Sequence, residues 1–293
     1  MPLDPALIAQ IEPLEVRARR VVEGYVAGRH ESPHRGFSVE FAEHRDYAPG
    51  DDLRYVDWKL HAKTDRYHLK QFEEETNFAA HLLLDVSESM AFRSENAPWS
   101  KLDCARTLAA ATAYLLIRQR DAAGLALFDR QVRALLRPSS KASQLAEVNR
   151  TLEAATAGEE TAVGPILHDL ASRVTRRGLV LVFSDLFDDA ESVLRGVRHL
   201  AHRRHDVRVA QIVDPTEHDF PFDEPTRFVG MESLPDLAID AGSIRKAYRR
   251  EFEAHRRAIE AGCRDAGASY RLVRTDEAPD RVLLELLASP RPA

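Results

Sequence analysis

The chain has 293 residues, 44% of them apolar, with only 13 Gly and 15 Pro; it has enough apolar material for a substantial core and is too hydrophobic to be disordered. Its 41 Lys and Arg against 47 Asp and Glu leave a net charge of −6, so the molecule projects no overall basic field toward nucleic acid. Its two cysteines, Cys104 and Cys263, exclude a disulfide scaffold and read as reduced, half-buried thiols. Apolar recurrence at Leu7, Ile11, Leu14, Ala18, Val21 and Tyr25 then predicts an amphipathic helix ending near Gly28. Phe37 to Asn77 differs in texture: short β-like pieces at Phe37–Phe41 and His68–Phe72 flank an aromatic-rich middle around the turn signal Pro49-Gly50-Asp51.

From Ala80 the grammar is regular. Ala80–Asp85 is an apolar run ending in an acid, Lys101–Arg120 a helix capped by Ser100, and Gly124–Phe128 a second apolar run, giving β, α, β. Asp129-Arg130 separates it from Gln131–Arg137, which predicts a hairpin and one antiparallel strand. Helices follow at Ala142–Ala155, with Ser140 as cap, and at Pro165–Arg176. Leu179–Ser184 is too short and too β-branched for a helix and reads as a buried parallel strand. Residues 190–204 and 206–213 repeat helix then strand. A connection holding Pro215, Pro221 and Pro225 leads to a long helix at Ile244–Asp265, a strand at Ser269–Val273 and a helix at Arg281–Ala288. The predicted fold is α/β, a doubly wound, mostly parallel sheet with one antiparallel strand and an irregular N-terminal extension. The division expected is 1–77 for helix and extension and 78–290 for the α/β domain. Met1 to Gln10 is not a basic stretch leading into an apolar one, and no window approaches 18 uncharged apolar residues, so a cytoplasmic chain without a membrane span is expected.

The chemistry concentrates where such sheets build sites, at the carboxyl ends of strands. Asp85-Val86-Ser87-Glu88-Ser89 closes the first strand with an acid and two hydroxyls at alternate positions, Asp185 closes another, and Thr161 stands ahead of a helix. Oxygen donors of this kind suit a hard divalent cation.

In order, Asp85-x-Ser87-x-Ser89, Thr161 and Asp185 resemble the metal-ion-dependent adhesion site of von Willebrand factor A domains. The resemblance implies that Ser87, Ser89 and Thr161 bind Mg²⁺ or Mn²⁺ directly, that Asp85 and Asp185 act directly or through water, and that a partner's carboxylate completes the shell. Leu186 departs from it, since many members of that family carry Gly there. Arg45-Asp46-Tyr47-Ala48-Pro49-Gly50-Asp51-Asp52-Leu53-Arg54-Tyr55-Val56-Asp57-Trp58, with Lys70-Gln71-Phe72-Glu73-Glu74-Glu75 before the first strand, is similar to the signature of the bacterial family called domain of unknown function fifty-eight. That resemblance covers about residues 35 to 288 and implies a protein partner, a MoxR-type AAA+ ATPase or its client. In the signature, Arg45, Tyr47, Arg54, Asp57 and Trp58 are of the types that either tie an extension down or form a docking face.

The function expected is therefore non-enzymatic: a metal-dependent protein-binding domain, an adaptor or co-chaperone of a MoxR-type ATPase. The alternative is a divalent-metal-dependent phosphoester hydrolase using the same carboxylates, with Glu88 or Asp188 as base; a third reading is a scaffold with no metal. His30-Glu31-Ser32-Pro33-His34 fits the zinc-protease pattern, yet Pro33 breaks the single helix face that the chemistry needs. His168, His199, His202 and His205 read as residues of solvated helix faces.

Overall fold

A computed structural model describes residues 13–27, 38–46, 68–75, 79–158, 162–231 and 235–288. By contacts the chain forms two compact units, His30–Phe78 and the remainder. In the smaller unit, β1 (Ser38–Asp46) pairs antiparallel with β2 (His68–Glu75), with an irregularity between Phe41 and Glu43. Both strands outrun the apolar pieces seen in the sequence, because ladder pairing carries the polar segments His44–Asp46 and Glu73–Glu75 along with them.

The larger unit contains a six-stranded sheet ordered β10-β7-β6-β3-β4-β5. Its strands are β3 (Ala79–Asp85), β4 (Ala122–Phe128), β5 (Val132–Ser139), β6 (Leu179–Ser184), β7 (Asp206–Val213) and β10 (Ser269–Arg274). The β4–β5 pair is antiparallel and every other pair parallel, as the hairpin at Asp129-Arg130 predicts. The chain steps from β3 to β4 and β5 on one side, then returns to β6 on the other. The crevice at the carboxyl ends of β3 and β6 is thus the switch point of a doubly wound sheet.

Strand residues alternate between two cores. Leu82, Leu84, Leu181 and Phe183 face a layer of α1 (Leu14–Ala27), α2 (Lys101–Arg118), α3 (Ala142–Ala154) and α8 (Pro279–Ala288). Leu83, Val180 and Val182 face α4 (Val163–Arg173), α5 (Ala190–His202) and the last turns of α7 (Ala241–Asp265). Burial on both faces explains why β3 and β6 read as unbroken apolar runs. Helix α1 belongs with this unit although it precedes the extension: Leu14, Ala18, Val22 and Tyr25 are buried in the first core.

Several boundaries differ from the expected ones for local reasons. Ser100 caps α2 by accepting from Asp103 N at 3.0 Å, but the helix ends at Arg118 and Arg120 turns left-handed at φ 62°. The cap of α3 is Lys141, not Ser140, with no side-chain bond. Helix α4 starts at Val163, so Pro165 sits in a first turn whose N–H groups have no helical acceptor anyway. A short helix, α6 (Pro215–Asp219), opens the proline-containing connection through a capping box of Asp214 and Glu217. It leads to a small hairpin of β8 (Pro225–Phe228) and β9 (Leu237–Asp240), and Asp240 starts α7 at Ala241, three residues before Ile244. Both cysteines are fully buried rather than half-buried. His205 is buried too, not on a solvated face: its ring meets His81 edge-on at 5.9 Å. Among the described residues no helix is long and apolar enough to cross a membrane.

Candidate metal centre

Asp85 ends β3 with no solvent exposure, and Ser87 beside it is equally buried, while Ser89 on the following 3-10 turn is half-buried. The loop folds back on its own acid: Ser87 N donates to Asp85 Oδ1 at 2.9 Å. The Ser87 and Ser89 hydroxyl oxygens lie 3.1 Å apart. From the next strand Ser184 Oγ donates to Asp85 Oδ2 at 2.6 Å and accepts Leu186 N at 3.0 Å. Burial first, and the Asp185 charge second, push the Asp85 carboxyl well above its ordinary range, against the hydrogen bonds from Ser184 and Ser87. Two carboxylates buried together at the switch point are an anionic site in want of a cation.

Part of that need is met by the protein. Lys101, the first residue of α2 and fully buried, places Nζ 2.8 Å from Asp185 Oδ2 and 2.7 Å from Glu217 Oε1. Burial alone would lower the ammonium; the Asp185 and Glu217 charges raise it instead. The other Glu217 oxygen accepts Asp214 N at 2.9 Å in the α6 capping box, and Phe187 N reaches Asp185 Oδ1 at 3.3 Å. Gln211 Nε2 donates to the Asp185 carbonyl at 2.8 Å, and the Gln211 side-chain oxygen accepts from Tyr270 OH. Leu186, buried, is left-handed at φ 57° in the position where the resemblance expects Gly; its carbonyl accepts from His255 Nε2 at 2.9 Å. Phe187, 41% exposed, lays its ring 5.0 Å from Lys101 Nζ.

The structure therefore brings Asp85, Ser87, Ser89 and Asp185 to one crevice. Thr161 lies outside the described residues, as do Tyr47, Arg54, Asp57 and Trp58; Arg45 is on β1, described by its backbone alone. Lys101, Ser184 and Glu217 were not singled out in the sequence. Lys101 had a signal: a cation at the first position of an 18-residue helix opposes the helix dipole and calls for carboxylates nearby. Of the two bases considered for hydrolysis, Glu88 is exposed, and Asp188 accepts Asp189 N at 2.6 Å and Gly164 N at 3.3 Å, the role of a loop clamp.

The donor set suits a small hard cation. The hydroxyl separation of 3.1 Å is close to the edge of an octahedron with ligands at about 2.1 Å, which is about 3.0 Å. Among the described residues no three His, Cys, Asp or Glu side chains converge as a metal site.

The family model described as "Protein of unknown function DUF58" matches residues 43–258. The chain belongs to this family. It is similar to Uncharacterized protein Rv1480 of Mycobacterium tuberculosis (strain ATCC 25618 / H37Rv), with 28% identity over 279 residues, 93% of this chain and 86% of that protein. Among solved structures, the conserved hypothetical protein BatB from Bacteroides thetaiotaomicron shares 16% identity at a TM-score of 0.47, over 72% of this chain and 97% of that one. The SpRpn10 VWA domain shares 12% at 0.39, over 71% and 94%. The strand order β10-β7-β6-β3-β4-β5 with one antiparallel edge strand is that of a doubly wound, mostly parallel α/β sheet.

Proposed function

We propose that this DUF58 protein is a non-enzymatic protein-binding domain that holds one divalent cation, Mg²⁺ or Mn²⁺, and through it captures a carboxylate of a partner. The observation that carries this reading is the pair of hydroxyls, Ser87 and Ser89, set 3.1 Å apart over a buried aspartate at the switch point. Asp85, Ser87, Ser89 and Thr161 would hold the ion. The ion supplies a positive charge that neutral ligands leave unsatisfied, so an incoming carboxylate is attracted. Lys101 keeps Asp185 neutralised and fixed, which leaves the crevice with one acid facing the cation instead of two. Ser184 and Ser87 N hold the Asp85 carboxylate in one orientation. On this reading the partner is a MoxR-type AAA+ ATPase, or that ATPase's client, met in the cytoplasm.

Calorimetric titration of the full chain with MnCl₂ and MgCl₂ tests the cation. The wild type is expected to bind one ion, and Ser87→Ala with Ser89→Ala to lose it while unfolding at a similar denaturant midpoint. Equal binding by both proteins contradicts the assignment.

A further inference from the structure

Helices α4 and α5 lie against each other through glycine. A Cβ on Gly196 would stand 2.5 Å from Leu167 Cβ, 3.0 Å from the Gly164 carbonyl oxygen and 3.4 Å from His168 N, so the two backbones are too close there for a side chain. His168 is four residues past Gly164 on α4, and His199 is three residues past Gly196 on α5. Each therefore stands one turn beyond the close approach, on the helix face that carries the glycine. The result is a pair of imidazoles whose Nδ1 atoms are 3.1 Å apart, with ring centroids separated by 4.3 Å and planes inclined by 43°. Their spacing is set by packed backbone. His168 is exposed and His199 half-buried, so the pair is open to solvent.

Two ring nitrogens at this spacing share either a proton or a metal ion. In the first case one Nδ1–H donates to the other ring; in the second both Nδ1 lone pairs face one ion. Ligand nitrogens about 2.0–2.1 Å from an ion are separated by about 2.9 Å at a right angle and about 3.3 Å at the tetrahedral angle, and the observed 3.1 Å lies between the two. The available donors select the ion. Each helix carries a single carboxylate, and an arginine of the same helix takes it: Arg173 pairs with Asp169 and Arg198 with Glu191, both at 2.8 Å. Imidazole nitrogens are left, which suit Zn²⁺, Cu²⁺ or Ni²⁺ and suit Mg²⁺ poorly. We infer that His168 and His199 form a second metal site, a two-nitrogen chelate on the α4–α5 surface that takes a divalent transition cation of the Zn²⁺ class, with water completing its shell. The ion staples the two helices together. This site stands independently of what the crevice at Asp85 holds, and its donors make it choose a different ion.

The test is titration of the full chain with ZnCl₂ in saturating MgCl₂, read by calorimetry and by urea denaturation. The wild type is expected to bind a Zn²⁺ ion that Mg²⁺ does not displace, and to unfold at a higher urea concentration with Zn²⁺ than without it, since an ion held by both helices only in the folded state favours that state. His168→Ala and His199→Ala, at solvent-open positions that should leave folding intact, are each expected to bind this ion roughly ten-fold or more weakly, one of its two nitrogens being lost, and to lose the urea shift. His202→Ala, one turn further along α5, is expected to behave as the wild type. Zn²⁺ binding that is absent from the wild type, or unchanged in both His168→Ala and His199→Ala, overturns the site. Displacement by Mg²⁺ overturns it too, because such an ion sits on oxygen, and so does a loss in His202→Ala as large as in the other two.

Discussion

Lys101 shows how one side chain can hold a charged crevice together. Its ammonium is the only group hydrogen-bonded to both the Asp185 and Glu217 carboxylates among the described residues. Removing one partner of a buried ion pair leaves the other uncompensated, at about 3–5 kcal/mol. Lys101→Met is expected to lower unfolding free energy by that amount in urea titrations; a loss under about 1 kcal/mol, the scale of an exposed pair, contradicts the buried network. At Leu186 two effects compete. Left-handed backbone at a non-Gly residue costs about 1–2 kcal/mol, while emptying a fully buried Leu site costs about 2.7–5.0 kcal/mol. Packing wins, so Leu186→Gly should destabilise by about 1–4 kcal/mol net, and a stabilised variant would mean that backbone strain outweighs packing there. His81, in β3, donates its Nε2–H to the Arg176 carbonyl at 2.9 Å and is pushed down to about 4, chiefly by burial. An unfolded His titrates near 6.5, so below that pH the unfolded chain binds a proton that the folded chain refuses. Stability is full above about pH 6.5 and falls as pH drops toward 4, by about 1.5 kcal/mol between roughly 6.5 and 5 from this group. Denaturation midpoints of wild type and His81→Gln across that interval check it: the variant's dependence should be flatter.

Helices α4 and α5 position both the segment next to residues 159–161 and the loop after Asp185, and glycine lets them approach. A methyl on Gly196 would sit 2.5 Å from Leu167 Cβ, and one on Gly164 would run into Ser192. Gly196→Ala should therefore cost about 1–3 kcal/mol by overpacking, measurable in the same titrations; an unchanged midpoint means the pair can separate freely. At the scale of elements, the sequence was most readable where burial was simplest. Runs such as Leu179–Ser184 match their strands because both faces are packed, and Ser100 before Lys101 gives a cap that needs only local atoms. Helix α6 and the start of α7 were not readable, because Asp214, Glu217 and Asp240 bond to backbone a few residues away while sitting among loop-like prolines. The partition of α1 was hidden for another reason: its apolar stripe is visible, but nothing local says that it packs on the sheet unit from across the extension.

At the scale of the molecule, strand order decides where chemistry gathers. Asp85 and Asp185 lie far apart in sequence, and only the crossing of the chain from β5 back to β6 puts their strands side by side. The motif spacing made those acids and Ser87 and Ser89 legible in advance. The countercharge from Lys101 and the clamp from Ser184 were not, since each depends on tertiary neighbours that no spacing announces. If a cation in this crevice captures a protein, the partner must be lost when either the ion or its buried carboxylate is removed. The most direct test is a pull-down from the native host with wild type and a folded Asp85→Ala variant, each in Mg²⁺ and in EDTA, read by mass spectrometry and by binding of the purified retained protein. Retention of a partner, a AAA+ ATPase foremost, by metal-loaded wild type alone is the predicted result. Identical retention in all four conditions would contradict it.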